Sequence, residues 1–298
     1  MRTLFFALIV FLVATGCQQV KKNHSGDDKQ EFTFLFMTDI HMRHGDARTA
    51  FNMVIDTANK IAADFILTGG DLIFDAMRGN VEKSDSLFQL YKEAVSHFTV
   101  PVYHCIGNHD LFGIYEVSPT DSTHPDYKSG MFERHLGDSY YSFDHKGWHF
   151  MVLNSFETEN HAWKTKFGET QLAWIREDLS KIRPETPVAV VVHVPLITVY
   201  DLYHPKEGQD PVVIDLFDDM QEFFTLFSDY NLKLVLQGHK HWIEDIKVRN
   251  KTRFITGGSI AGRPSWGTPS KGDEGFMKFT ISGEEISWDY IHYRKNRP

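Results

Sequence analysis

The sequence predicts an α/β domain made of layered sheets covered by helices. Three observations carry this prediction. Short apolar runs alternate with stretches of helical period, and several of those runs end in Gly followed by Asp, Asn or His. The last third of the chain then changes to strands paired through short turns. At 298 residues the chain can form one large domain with a substantial core. Its 42% hydrophobic and 24% charged residues exclude collagen-like, coiled-coil and wholly disordered classes.

Taken in order, Phe32–Met37 reads as a strand. Asp46 reads as the cap of a helix reaching about Ala62, with Ala50, Phe51, Val54, Ile55, Ala58, Ile61 and Ala62 on one face. Phe65–Leu67 is a second strand, Val81 to Phe98 a helix, and Val100–Ile106 a third strand. Tyr140–Asp144 and Trp148–Asn154 flank His145-Lys146-Gly147 as a hairpin. Glu169 to Ile182 is helical and Val188–Val192 is a buried strand. Asp215 reads as the cap of a helix carrying Leu216, Phe217, Met220, Phe223, Phe224 and Phe227. Leu232–Leu236 is another strand. Ile243–Val248, Arg253–Thr256, Phe276–Ile281 and Ile286–Tyr293 complete the chain as hairpins and meanders.

Residues 1–16 stand apart from this domain. Arg2 precedes an apolar run from Leu4 to Ala14 that is too short for an ordinary spanning helix. The tract Ala14-Thr15-Gly16-Cys17 resembles a bacterial lipoprotein signal. That resemblance implies removal of residues 1–16, lipid on Cys17 and an exported protein anchored at the periplasmic or cell-surface side of a membrane. Residues 17–31 are polar and aperiodic, as a tether is, and the domain is expected over 32–298. Loss of Arg2 leaves 30 basic residues against 40 acidic, moving the net charge from -9 to -10. Such a balance argues against broad nucleic-acid binding, which needs cations for the phosphates. With Cys17 lipidated, Cys105 has no partner and reads as a buried free thiol.

Five apolar strands end in metal-ligating residue types. Phe32–Met37 leads to Asp39-Ile40-His41, Phe65–Leu67 to Gly69-Gly70-Asp71, and Val100–Ile106 to Gly107-Asn108-His109-Asp110. Val188–Val192 leads to His193, and Leu232–Leu236 to Gly238-His239-Lys240-His241. Carboxyl ends of strands are where sites assemble in open α/β sheets. An extended Asp39-x-His41 would aim both side chains to one side, and His239-x-His241 would do the same or wrap two neighbouring ions. Gly70, Gly107 and Gly238 allow sharp turns and close backbone approach. Carboxylate, imidazole and amide oxygen together suit Mn, Fe, Zn or Co. Two such ions about 3.5–4 Å apart can clamp a phosphoryl group.

The series Asp39-x-His41, Gly70-Asp71, Gly107-Asn108-His109-Asp110, His193-x-Pro195 and Gly238-His239-x-His241 resembles the calcineurin-like metallophosphoesterases. Tyr140-Tyr141-Ser142-Phe143 and Gln171-Leu172-Ala173-Trp174 resemble tracts of the exported members, which are similar to class III cyclic-nucleotide phosphodiesterases and purple acid phosphatases. The resemblance implies a four-layer αββα sandwich of two mixed β-sheets flanked by helices. It implies that Asp39, His41 and His241 bind one ion, that Asn108, His193 and His239 bind the other, and that Asp71 bridges both. It further implies metal-bound hydroxide as nucleophile, with His109 protonating the leaving group or stabilising the phosphoryl oxygens. Asp110 either orients His109 or caps the following segment. No Tyr follows Asp71 closely, so a purple iron–tyrosinate centre is not expected.

His104 reads as a satisfied core residue, and His44, His161 and His204 as surface residues. Phe74, Tyr203, Trp242 and Trp266 are candidates for stacking on substrate, with packing the plainer reading of each, and Arg263 is a weak candidate for a phosphate contact. Leu111 to Leu136 and Leu196 to Pro211 are expected to frame the pocket. The expected activity is hydrolysis of small phosphate esters, with diesters slightly favoured. The competing readings are a non-catalytic binding lipoprotein and a nuclease.

Overall fold

In the computed structural model, which describes residues 30–205, 215–261 and 274–294, the first strand is buried on both faces from Phe34 onward. A strand covered on both sides is an inner strand, and its run of large apolar residues fits that place. The strands are β1 (Glu31–Met37), β2 (Phe65–Thr68), β3 (Val102–Tyr103), β4 (Tyr141–His145), β5 (Trp148–Val152), β6 (Phe156–Glu159) and β7 (Ala162–Thr165). They continue as β8 (Pro187–Val191), β9 (Asn231–Gln237), β10 (Glu244–Val248), β11 (Thr252–Thr256), β12 (Phe276–Ser282) and β13 (Glu285–Ile291). One sheet has the order β13-β12-β1-β2-β3, and the other has β10-β11-β9-β8-β5-β4. Both are mixed. β1 runs parallel to β2 but antiparallel to β12, while β8 is parallel to both β5 and β9. The expected sandwich of two mixed sheets with helices is the architecture found.

Alternation along each strand divides the core. Phe32, Phe34 and Phe36 join Phe65, Trp148, Phe150, Val191, Leu236 and Phe279 in one apolar cluster shared by the two sheets. The Phe34 ring stacks 5.2 Å from Phe65 and meets Phe150 edge-on at 5.9 Å, which fixes how the sheets sit together. Leu35, Ile66, Val188, Val190 and Val235 belong to a second cluster with the helices. Those helices are α1 (Asp46–Ala58), α2 (Val81–Val95), α3 (Gly130–Leu136), α4 (Gly168–Leu179), α5 (Tyr200–Tyr203) and α6 (Met220–Leu226). α1 buries Ala50, Phe51, Val54, Ile55 and Ala58, the face its periodicity predicts. No helix among the described residues is long and apolar enough to cross a membrane. Residues 1–16 and most of the tether lie outside the described residues, as do Trp266 and Arg263.

Several sequence expectations need correction. α1 ends at Ala58 rather than Ala62, and Gly45, not Asp46, holds its cap position. Asp46 lies in the first turn, where its charge favours the helix dipole. α2 is capped by Asn80, which accepts from Lys83 N at 2.9 Å, and ends at Val95. β3 is only two residues long. Pro101 has no N–H for the ladder, and the Cys105 N–H donates to the Thr68 hydroxyl instead. Asp215 caps no helix, because α6 starts at Met220. The hairpin β6–β7 was not anticipated. Its turn, Asn160-His161, holds both residues at positive φ, of 50° and 57°.

Candidate metal centre

The five motifs follow strands of both sheets and meet at one edge of the sandwich. β1 and β2 deliver Asp39, His41 and Asp71, and the short 3-10 turn Asn108–Asp110 follows β3. β8 and β9, in the other sheet, deliver His193, His239 and His241. The loops after β1 and β2 run side by side. Asp39 N donates to Gly70 O at 3.0 Å, and His41 N to Asp71 O at 2.8 Å. Asp39 Oδ2 accepts from Thr38 Oγ1 at 2.6 Å and from His239 N at 3.1 Å, so one carboxylate ties the two sheets together.

The local backbone is not extended as the sequence reading had it. Asp39, His41, Asp71, His239 and His241 have φ of 54°, 46°, 53°, 69° and 50°. Non-glycine residues seldom occupy this left-handed region, and when they cluster there, surrounding contacts must hold them. Each strand therefore turns sharply at its end. His239 and His241 diverge: His239 faces Asn108 and His193, and His241 faces Asp39 and His41. Gly70 is required at φ 91°, because a Cβ there would lie 2.5 Å from His193 Nδ1. A Cβ on Gly107 would collide with the backbone of Asp71.

Two groups of donor atoms result. In the first, His41 Nε2 and His241 Nε2 are 3.2 Å apart, and His241 Nε2 lies 3.0 Å from Asp39 Oδ1. That oxygen is buried without a hydrogen-bond partner despite the short approach. In the second, Asn108 Oδ1 lies 3.1 Å from both His193 Nε2 and His239 Nδ1, and Asp71 Oδ1 is 3.3 Å from His193 Nε2. Asp71 joins the groups, since its Oδ2 is 3.6 Å from His41 Nε2. Ligand atoms about 2.1 Å from a shared ion stand about 3.0 Å apart in octahedral and about 3.4 Å apart in tetrahedral geometry. The observed separations match that spacing.

The hydrogen bonds behind the rings sharpen the fit. His193 Nδ1 donates to Gly69 O at 2.7 Å, so Nε2, which faces Asn108 Oδ1, is the atom that a neutral ring offers to a metal ion. His239 Nε2 donates to Asp215 Oδ2 at 3.3 Å, which leaves the Nδ1 lone pair pointing at the same oxygen. With neutral rings these acceptors would face one another in a buried space, and a cation among them, proton or metal ion, removes that conflict. Burial pulls the His41 imidazole down to about 3, so it is neutral and fit to ligate. Burial also pulls His193 down, but the charge and hydrogen bond of Asp71 outweigh this and push it up to about 9. The carboxylates therefore call for positive charge at this spot, which protons or metal ions can supply.

His109 enters the same cluster. Its ring meets His41 edge-on at 4.7 Å, its backbone N–H donates to Asp71 Oδ1 at 2.9 Å, and its Nδ1 is buried without a partner. Three sets of groups could hold an ion by proximity: Asp39, His41 and His241; His41, Asp71 and His109; and Asp71, His193 and His239. Asp110 is fully buried behind the site. Its carboxylate accepts from the N–H groups of Leu72, Ile73 and Gly107, at 2.9, 3.0 and 2.8 Å. It ties the loop that carries Asp71 to the turn that carries Asn108 and His109.

Other candidates fall out as follows. Phe74 lines the rim, stacked 6.0 Å from His109 with the Arg43 guanidinium 5.2 Å from its ring. Trp242 packs on Tyr200 and His204, and Tyr203 is exposed. His104 bonds the Tyr91 hydroxyl at 3.0 Å, and Cys105 is a buried free thiol. Sequence reasoning missed Asp215, Lys240, Ser155 and Trp163. Lys240 is buried between Asp201 and Asp215, at 3.3 and 3.1 Å. Ser155 Oγ accepts from His193 N at 3.1 Å, and the Trp163 ring lies 5.8 Å from His239. Lys240 sits inside the His239-x-His241 motif, which was a usable signal. Asp215 and Ser155 come from loops and Trp163 from the short strand β7, none with a motif of its own.

Comparison with known proteins shows the family. The model of the calcineurin-like phosphoesterase family matches residues 32–242. The chain belongs to that family. The family's members depend on two metal ions, in keeping with the His and Asp clusters of this site. A probable cyclic nucleotide phosphodiesterase from Fibrobacter succinogenes is 24% identical over 282 residues, covering 93% of this chain and 89% of that protein. Purple acid phosphatase 23 from Arabidopsis thaliana is 32% identical over 108 residues, and this chain spans only 20% of its length. A dimetal phosphatase from Danio rerio shares the fold with a TM-score of 0.59 at 12% identity, covering 88% of this chain and 96% of that one. As a calcineurin-like phosphoesterase, the protein is a phosphoric ester hydrolase.

Proposed function

We infer that this calcineurin-like protein hydrolyses small phosphate esters at a two-metal centre, with diesters favoured over monoesters. The observation that carries the reading is the convergence of three potential ligand atoms, His193 Nε2, His239 Nδ1 and Asn108 Oδ1, beside the Asp71 carboxylate. In this reading Asp39, His41 and His241 would hold one ion and Asn108, His193 and His239 the other, with Asp71 shared between them. When bound, the ions supply Lewis acidity, activating water and neutralising charge on the phosphoryl oxygens. The P–O bond to the alcohol breaks as the oxygen of water bonds to phosphorus, and the proton that water gives up replaces the one His109 donates. His109, aimed into the cluster beside His41 and Asp71, delivers a proton to the departing alkoxide. Asp110 keeps the Asp71 loop rigid, and Asp215 and Gly69 O hold the two imidazoles in the tautomers that ligation requires. The diester preference is supported by the full-length similarity to a probable cyclic nucleotide phosphodiesterase.

The deciding experiment measures metal content and hydrolysis together. The purified chain, reconstituted with Mn, Fe, Zn or Co, is assayed on 4-nitrophenyl phosphate and bis(4-nitrophenyl) phosphate. Two ions per chain, with faster cleavage of the diester, is the expected result. Metal binding without hydrolysis of either ester would leave a binding protein on a phosphoesterase fold. The same reading places the domain outside the cytoplasm on a lipid carried by Cys17, supported by the Ala14-Thr15-Gly16-Cys17 tract. Cys17→Ser is expected to release an active, unlipidated protein from the membrane fraction. Membrane retention of that variant would refute the anchor.

A further inference from the structure

A buried lysine lies inside the motif that supplies two imidazoles to the site. Lys240, between His239 and His241, is 8% exposed. A lysine is seldom so buried unless its ammonium is paired. Here Nζ lies 3.3 Å from Asp201 Oδ1 and 3.1 Å from Asp215 Oδ2. The same Asp215 oxygen accepts from His239 Nε2 at 3.3 Å, and Nδ1 on the other side of that ring lies 3.1 Å from Asn108 Oδ1. Asp201, Lys240, Asp215 and His239 thus form a continuous chain of contacts from α5 to an imidazole of the metal centre.

α5 depends on this end of the sandwich for its place. It has four residues and no side-chain cap bond, and so short a helix does not hold itself. The segment leading into it is fixed by side chains from β9 and β10. Gln237 Oε1 accepts from the N–H groups of Leu196 and Ile197 at 2.9 and 3.3 Å. Glu244 accepts from Thr198 Oγ1 and Val199 N at 2.7 and 3.0 Å. Asp201 adds a further tie through Lys240. Gln237, Lys240 and Glu244 are interleaved in sequence with the two histidines, so the histidine turn and the α5 segment are bolted to each other. The turn needs such support, because His239 and His241 hold φ of 69° and 50°.

We propose that Lys240 is a positioning residue for the ion that His239 faces: it clamps Asp215 behind the imidazole and makes affinity for that ion depend on Asp201 of α5. The inference rests on the two-metal reading and adds to it a coupling between one ion and α5. Charge alone and the clamp predict opposite signs. An ammonium repels a nearby metal cation, so if Lys240 acted only through its charge, its removal would tighten metal binding. If it clamps, its removal leaves Asp201 and Asp215 without the group that joins them, His239 loses its fixed partner, and binding weakens. For Asp201 both effects weaken binding, and they differ in whether the loss requires Lys240.

The test titrates Zn into the metal-free full chain by calorimetry, with His239→Ala marking the binding step that belongs to this ion. Lys240→Met keeps the length of the side chain and removes its charge. Expected is a loss of about tenfold in affinity at the marked step, the lower end for a partner behind a ligating imidazole, with the other step changed by less than about twofold. Asp201→Asn keeps the shape of the carboxylate. It is expected to cost about three- to tenfold at the marked step in the wild-type background and nothing further in Lys240→Met. Cobalt in place of zinc reports the geometry of the ligands, and its visible absorption is expected to shift in Lys240→Met, which a general loss of stability would not cause. Thermal melting shows whether each variant is folded. Should Lys240→Met fail that check, Asp201→Asn, Asp215→Asn and their double variant carry the same cycle, again with non-additive losses expected. Tighter or unchanged binding at the marked step, equal losses at both steps, additive losses in the double variant, or an unshifted cobalt spectrum would each overturn the proposal alone. The absence of any binding step that depends on His239 would end the two-metal reading and this proposal with it.

Discussion

Single atoms decide the behaviour of this site. Asp71 presents one oxygen to His193 and the other to His41, so its removal touches both donor groups. Asp71→Ala is expected to abolish binding of both ions and nearly all activity, and elemental analysis showing two retained ions would contradict a bridging role. His109 lies beside the cluster but outside the six non-bridging positions proposed for the ions. His109→Ala is expected to keep its metal and lose about 10²–10⁴-fold in rate, the usual contribution of a general acid. Near-wild-type turnover would remove it from the mechanism. Asp215 accepts from His239 Nε2 and from Lys240 Nζ. Asp215→Ala is expected to weaken metal binding about 10–100-fold, as loss of a carboxylate behind a ligating imidazole does. Competition against a chelator measures this directly, and unchanged affinity would show that His239 keeps its orientation without help.

At the scale of elements, short helices and loops around the site are tied down by charge rather than by length. α3 has only seven residues, yet Arg134 on it pairs with Asp126 at 2.8 Å and with Asp85 of α2 at 2.7 Å, and His135 also reaches Asp85. For Asp126 the Arg134 hydrogen bond holds the carboxyl below its usual range. For Asp85, partial burial raises it, but the Arg134 and His135 bonds lower it further. Depressed folded values mean that the pairs stabilise above the unfolded carboxylate pKa of about 3.9, and that this contribution is lost as pH falls through the folded values. The gap in melting temperature between wild type and Arg134→Met is therefore expected to narrow on acidification from about pH 6 to about pH 3. A gap independent of pH would assign the effect of the substitution to packing of the arginine stem.

Across the whole molecule, aromatic packing between the sheets carries the alignment of the site. Phe150 touches Phe34, Phe65 and Phe143 with ring centroids at 5.9, 5.3 and 5.0 Å and is fully buried. Phe150→Ala is expected to cost about 3–5 kcal/mol, the usual range for emptying such a position. Chemical denaturation reads this as a lowered midpoint, and a loss below about 1 kcal/mol would mean that the core closes over the gap. Because β1 and β2 stand in one sheet and β8 and β9 in the other, any shift between sheets separates Asp39 from His241 and Asp71 from His193.

Much of this was legible from residue order. Alternating apolar strands, the buried face of α1 and the hairpin at Lys146-Gly147 follow from local periodicity and turn chemistry, which depend on near neighbours. The seven residues now seen to converge were identifiable because each follows the carboxyl end of an apolar strand. The bent backbone at Asp39 and His41, the anchoring of the Asp71 loop by Asp110, and the turning of Asp215 toward His239 were not legible. Each results from contacts between segments tens to hundreds of residues apart, and no local propensity encodes such a partner. The sequence by itself determined the elements, the family and the donor types. Only the packing of two sheets against each other decided which donor faces which, because separations of about 3 Å between their ends arise from the core beneath and not from any one strand.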